Sequence, residues 1–182
     1  MTEISQRYSR LAAAFAEKIA AVPDDRWGRP SPCPGWTTRD VVGHVVTTQG
    51  MFLGFVGGEL GTIPTVDDDP SAAWKAASDV VRRDLEDPTL AAREFQGFQG
   101  PTTFEASVDR FLSFDLVVHG WDLARAAGLD ERIDPDDVAR VRTAADEFGD
   151  GMRSPQAFGP AVEPPPGADA QTELLAFLGR RA

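Results

Sequence analysis

The chain has one cysteine, two histidines and no long apolar run. A single cysteine cannot close an intramolecular disulfide, so nothing points to an oxidising compartment. The opening MTEISQRYSRLAAAF lacks the basic region and unbroken apolar run of an export signal, and a reducing cytoplasm is the expected location. No stretch approaches the roughly 18 apolar residues that cross a bilayer, so no membrane partner is expected. Basic residues are in deficit: 18 Lys and Arg stand against 29 Asp and Glu, a net charge of −11. That balance repels phosphate backbones and argues against nucleic acid as a partner. Neither sustained strand alternation nor an internal repeat is visible.

What is present reads as helix. With 182 residues, 42% apolar and 26% charged, the composition is that of a globular chain, expected to form a single domain over 1–182. Ile4, Tyr8, Leu11, Phe15, Ile19 and Val22 recur at steps of three or four and mark one stripe of a first helix. Residues 24–36 hold Pro30, Pro32 and Pro34 and read as a loop. Thr37 followed by Asp40 forms a capping-box-like pair before Val41, Val42, Val45 and Val46, and Gly54 with Gly57-Gly58 ends that second helix. Asp69-Pro70 opens a third helix along Trp74, Ala77, Val81 and Leu85, and Asp134-Pro135 opens a fifth along Val138, Val141, Ala145 and Phe148. Between them, residues 88–103 read as a connection and Phe104 to Ala127 as one long helix closed by Gly128. Residues 154–167 carry five prolines and read as irregular, before a short last helix around Thr172 to Leu178. The expected class is all-α, an up-and-down four-helix bundle with short extra helices at the C-terminus.

The fourth helix carries the chemistry. Phe104, Val108, Phe111, Asp115, His119, Asp122 and Ala126 follow helical steps, so polar residues interrupt an apolar stripe. Asp115 lies about 40° from His119 and about 20° from Asp122 around the axis, so the three share one direction. The segment Phe111 to Val118 is apolar on almost every side, and a carboxylate buried there needs a neutralising partner. An arginine from a facing helix would serve. So would a metal ion completed by His44, the other histidine, flanked by Val42, Val45 and Val46. Imidazole and carboxylate suit Zn²⁺, Ni²⁺ or Fe²⁺, and a His–Asp–His set leaves coordination positions open. Against this stands the plainer reading of hydrogen-bonded core histidines. Asp122 would either orient a His ring or pair with Arg125. Cys33, with no general base locally placed, reads as a structural loop thiol. Trp27, Trp36, Trp74 and Trp121 read as core or loop packing.

Two stretches carry a resemblance. Cys33-Pro34-Gly35-Trp36-Thr37-Thr38-Arg39-Asp40-Val41-Val42-Gly43-His44 resembles the helix-two signature of the DinB/YfiT-like superfamily, in the branch of the mycothiol-dependent maleylpyruvate isomerase N-terminal domain. Asp115-Leu116-Val117-Val118-His119-Gly120-Trp121-Asp122-Leu123-Ala124-Arg125-Ala126 resembles the second signature of that branch. Phe158-Gly159-Pro160 and Leu174 to Arg180 resemble the endings of its small single-domain actinobacterial members. The resemblance implies a four-helix bundle that holds a divalent metal through His44, Asp115 and His119, where the isomerase branch carries a longer Glu at the place of Asp115. It implies mycothiol as thiol cosubstrate and a metal-dependent S-transferase-like or isomerase-like reaction on an electrophilic small molecule. Asp122 would orient a His or position water, and Arg125 would either stand as an exposed surface arginine or meet an anionic group of thiol or substrate. The family's isomerase has a further C-terminal domain that helps form its pocket, without a counterpart in these 182 residues, so maleylpyruvate isomerisation itself is not expected. A non-catalytic bundle binding metal or a small molecule is the alternative from another class, and a homodimer is left open.

Overall fold

Four long helical segments pack as a ring, and each is started by the residue its sequence offers for the purpose. The computed structural model describes residues 2–153 and 158–181, so the first residues of the proline-rich stretch 154–167 lie outside the described ones. Helix α1 spans Glu3–Ala21, with the Thr2 side chain accepting from the Ser5 amide. Helix α2 spans Thr38–Phe55 behind a complete capping box, in which Thr37 and Asp40 each bind the other's backbone. Helix α3 spans Pro70–Glu86 behind Asp69. The fourth segment is α5 (Phe104–Ser107), a π-helical turn (Val108–Leu112) and α6 (Ser113–Ala127), closed by Gly128 at φ 74°. Helix α1 packs on α3 and α6, and α2 packs on the same two. The all-α bundle expected from periodicity is the fold.

Two features depart from the sequence reading. The long fourth helix is not uniformly α-helical. Its π turn holds one extra residue, which re-phases the stripe: Phe104, Val108 and Leu112 are fully buried, while Phe111 is turned to a half-buried position. Arg7 of α1 pairs with Asp109 in that turn. The connection 88–103 contains a short helix α4 (Pro88–Ala91) and an antiparallel hairpin, β1 (Glu94–Gly97) with β2 (Gly100–Thr103). A hairpin this short alternates too few residues to show in a sequence pattern. Its tight end depends on Gly100 at φ 112°, open to glycine alone at little cost.

The chain gathers into two compact units, Met1–Asp130 and Glu131–Ala182. The first holds the bundle and its core. There Phe15 and Trp74 meet edge to face at 5.0 Å, each about 1% exposed. Burial of side chains this size contributes about 1.5–3 kcal/mol apiece relative to exposure. The second holds α7 (Pro135–Phe148), a 3-10 turn (Gly149–Met152) and α8 (Ala170–Phe177), with Arg142 and Arg153 over the Phe177 ring. No helix among the described residues is long and apolar enough to cross a membrane.

Candidate metal centre

The site lies between α2 and α6, and a proline-containing turn closes one side of it. In Cys33-Pro34-Gly35-Trp36, the Trp36 amide donates to the Cys33 carbonyl at 3.0 Å. Proline in the second place and Gly35 at φ 80° in the third are the pattern of a type II turn. The turn is pinned further by Ser31 N–H to the Trp36 carbonyl (2.8 Å) and Thr38 N–H to the Arg29 carbonyl (2.9 Å). It leaves Cys33 buried and sets the Trp36 ring 4.8 Å from the His44 ring and 5.9 Å from the His119 ring.

Asp115 receives both histidines. His44 Nε2 stands 3.3 Å from Asp115 Oδ2, and His119 Nε2 stands 3.3 Å from Oδ1. His44, Asp115 and His119 present one donor atom each, all within 4.8 Å of one another, as a metal-binding group would. Asp115 Oδ2 is itself buried without a hydrogen-bond partner. Exposure falls in order across the site: 34% for the His44 side chain, 17% for Asp115, 7% for His119 and none for Asp122. The centre is therefore open to solvent on the His44 side.

Behind His119 lies a second layer. Its Nδ1 is 2.9 Å from Asp122 Oδ2, so the two nitrogens of one ring each face a carboxylate. A neutral imidazole holds a proton on only one nitrogen. With Nδ1–H donated to Asp122, the Nε2 lone pair points at the place where the three donors converge, which is the tautomer that a metal-bound histidine takes. Without a cation the alternative is an imidazolium. Burial disfavours its charge, but the Asp115 carboxylate and the contacts with Asp122 and Cys33 more than offset this and hold His119 well above its usual value. Burial likewise pushes Asp115 up, and the charges and contacts of His119 and His44 overcome it to leave the carboxyl well below its usual range. The donor set fits a divalent transition metal: two nitrogens and an oxygen, one oxygen atom lacking a hydrogen bond, and one face open.

The structure brings His44, Asp115, His119 and Asp122 together. Asp122 faces His119, as the ring-orienting reading expects. The groups against Asp115 are the two histidines, not the arginine considered as its partner. Arg125 is exposed, its guanidinium 5.6 Å above the Trp121 ring. Sequence reasoning missed Cys33. Its Sγ lies 3.3 Å from Asp122 Oδ2 and 3.8 Å from His119 Nδ1, so the thiol that reads as isolated in its loop has both groups beside it. Those partners are 86 and 89 positions away along the chain, beyond the reach of local spacing. Trp36, too, is more than loop packing, since its ring covers both imidazoles. The one available signal was that Cys33 and Trp36 stand in the same short motif as His44.

Comparison with known proteins places the chain in a family. The description "Mycothiol maleylpyruvate isomerase N-terminal domain" matches residues 8–124, a span that includes every residue of the site. An uncharacterized protein of Mycobacterium tuberculosis, Rv0738, is 29% identical over 175 residues, 95% of this chain and 95% of that protein. A second uncharacterized protein of that organism, Rv0036c, is 30% identical over 132 residues, 61% of this chain and 51% of that protein. No solved structure matches. Because the family match takes in well over half of the chain, and in it both histidines, this chain belongs to the mycothiol maleylpyruvate isomerase N-terminal domain family.

Proposed function

We propose that the chain binds one divalent transition metal through His44, Asp115 and His119, zinc first with nickel or iron as alternatives. With it the chain acts as a thiol enzyme, S-transferase-like or isomerase-like, on an electrophilic small molecule. The thiol cosubstrate is mycothiol, in keeping with the family description. The observation that carries the reading is the convergence of three donors on a site where Asp115 Oδ2 lacks a hydrogen bond and Asp122 holds His119 from behind.

A divalent cation bound here lowers a thiol's pKa and makes the thiolate available at neutral pH. The chain's own residues do the rest. Asp122 keeps the Nδ1 proton on His119 and fixes the ring, and Trp36 shields both imidazoles from water. The half-exposed side of His44 admits the thiol. Arg125, on the surface, is the cation for an anionic group of thiol or substrate. In the transferase form, thiol sulfur forms a bond to the electrophilic carbon while the leaving group departs with the bonding pair. The thiol proton ends in solvent, so RSH and R′X give RSR′ and HX. In the isomerase form the thiol adds and is eliminated again, with no net change.

The test is elemental analysis of the untagged protein, followed by thiol consumption with mycothiol and a panel of electrophiles. About one equivalent of metal and metal-dependent consumption are expected. Metal without turnover would favour a non-catalytic binding bundle. Less than about a tenth of an equivalent, with no uptake of added zinc or nickel, removes the centre altogether.

A further inference from the structure

The large apolar side chains that stand exposed among the described residues are gathered in one place. Met51 is 46% exposed, Phe55 36% and Phe98 65%. Phe98 sits at the hairpin tip with its ring 6.2 Å from Phe52, 5.5 Å from Phe55 and 5.6 Å from Phe111. Phe95 of β1 stacks on Phe55 at 5.3 Å with the rings only 17° apart. The hairpin is tied to the end of α2 by Arg93, whose guanidinium donates to the Val56 carbonyl at 2.5 Å. A hairpin otherwise too small to stand alone is thus held by rings.

This patch continues the seam that holds the candidate metal centre. On α2, Met51 and Phe55 follow His44 by seven and eleven residues, within about 20° of its direction. Phe111 precedes Asp115 by four residues on the other wall, about 6 Å along the axis. Phe52 meets Phe111 across the seam at 5.8 Å. Taking about 200 Å² for a side chain of this size, the three exposed residues offer about 300 Å². A stable protein interface takes about 800 Å² from each partner. The exposed area suits one face of a small molecule, and rings at edge-to-face and stacked angles favour a planar occupant.

We propose that the aromatic cluster is the electrophile subsite, binding the uncharged planar aromatic body of the substrate and presenting its reactive carbon toward His44 and Asp115. The substrate class is then an aromatic electrophile of one or two rings, bound at the end of the cluster where Phe111 stands about one helical turn from Asp115. The naming of the occupant as electrophile rests on the proposed function. Its binding by the rings does not.

The probe is 1,3-dinitrobenzene, planar and without a leaving group, titrated calorimetrically into the full chain with metal and with chelator. Nitrocyclohexane serves as its saturated counterpart. One saturable site is expected for dinitrobenzene, at least tenfold weaker for nitrocyclohexane. Phe98→Ser and Phe55→Ser should each weaken dinitrobenzene at least tenfold, and Lys75→Ala, exposed on α3 away from the cluster, should leave it within twofold. Phe98 is mostly exposed at a hairpin tip, so its replacement spares the core. No binding to the wild type, or wild-type affinity in both Phe variants, overturns the subsite. Light scattering that shows a dimer dissolved by Phe98→Ser also overturns it and assigns the patch to a second copy. Binding that survives in a protein with no thiol turnover sinks the proposed function and leaves an aromatic-binding site standing.

Discussion

The bundle's interior has two halves built from the same kind of helix, and they differ in how their polar groups are treated. Where α1 meets α2 and α3, the buried polar side chains Tyr8, Gln49 and Trp74 all find partners. Tyr8 donates to Gln49 Oε1 at 2.7 Å, Gln49 Nε2 donates to the Val45 carbonyl at 3.3 Å, and Trp74 Nε1 donates to the Ala12 carbonyl at 3.1 Å. Burial pushes the Tyr8 phenol far above its usual value, so it stays a neutral donor. Where α6 faces α2, the accounting stays open: Asp115 Oδ2 is buried without a hydrogen-bond partner. A folded domain normally closes such gaps. The half that closes them reads as scaffold, and the half that leaves one open is where the proposed metal would complete the structure.

The largest effect expected from this contrast falls on the closed half. Phe15→Ala removes a ring from against Trp74 and should cost about 3–5 kcal/mol in urea unfolding. Metal content per folded chain should be unchanged. If the variant loses metal in proportion to stability, the two halves are not separable.

Next come the groups that meet at the centre. His44→Ala and Asp115→Asn should each weaken metal binding by more than about 100-fold, about 2.7 kcal/mol. Neither should alter helix content by circular dichroism, since His44 is a third exposed and Asp115 faces no arginine that its loss would strand. Full metal occupancy in either variant would show that the donors converge for some other reason.

One layer out, Asp122→Asn leaves shape but removes the charge that holds the Nδ1 proton. The cost expected for such an orienting partner is about 10- to 100-fold in metal affinity. Cys33→Ser, which keeps a donor toward Asp122 Oδ2, should cost less than Cys33→Ala. Equal losses for the two would deny the thiol any part in holding that carboxylate.

Much of this division is readable from sequence, and the physical reason for what is not is distance along the chain. The helix starts at Thr37, Asp69 and Asp134 are legible because a cap acts within three residues of itself. The common direction of Asp115, His119 and Asp122 follows from the pitch of one helix. That His44 meets them could be inferred because the chain has only one other histidine and because both motifs resemble one family. The π turn at Val108–Leu112 left no mark in residue types, so Phe111 read as core when it belongs to the aromatic cluster. Cys33 and Trp36 arrive beside His119 through a turn whose form was legible but whose destination was not.

The smallest effect tests how the turn and the open half are joined. Thr37 caps α2 immediately after Trp36, and Asp40 Oδ2 accepts from the Thr37 amide at 2.8 Å and its hydroxyl at 2.6 Å. Thr37→Ala should cost about 1 kcal/mol at pH 7. The side-chain and then the backbone hydrogen bond from Thr37 hold the Asp40 carboxyl below its usual value. A depressed folded value means that the ionised carboxylate contributes stability in full above the unfolded value, near pH 4, and loses it as pH falls through the folded one. The gap between wild type and Asp40→Asn should therefore be present at pH 7 and shrink at pH 3 in parallel urea titrations. Asp40 is exposed, so the gap should also narrow in high salt, while the Asp122→Asn effect on metal affinity, set in a buried layer, should not. A gap that widens toward acid would mean that Asp40 does not cap α2 through its charge.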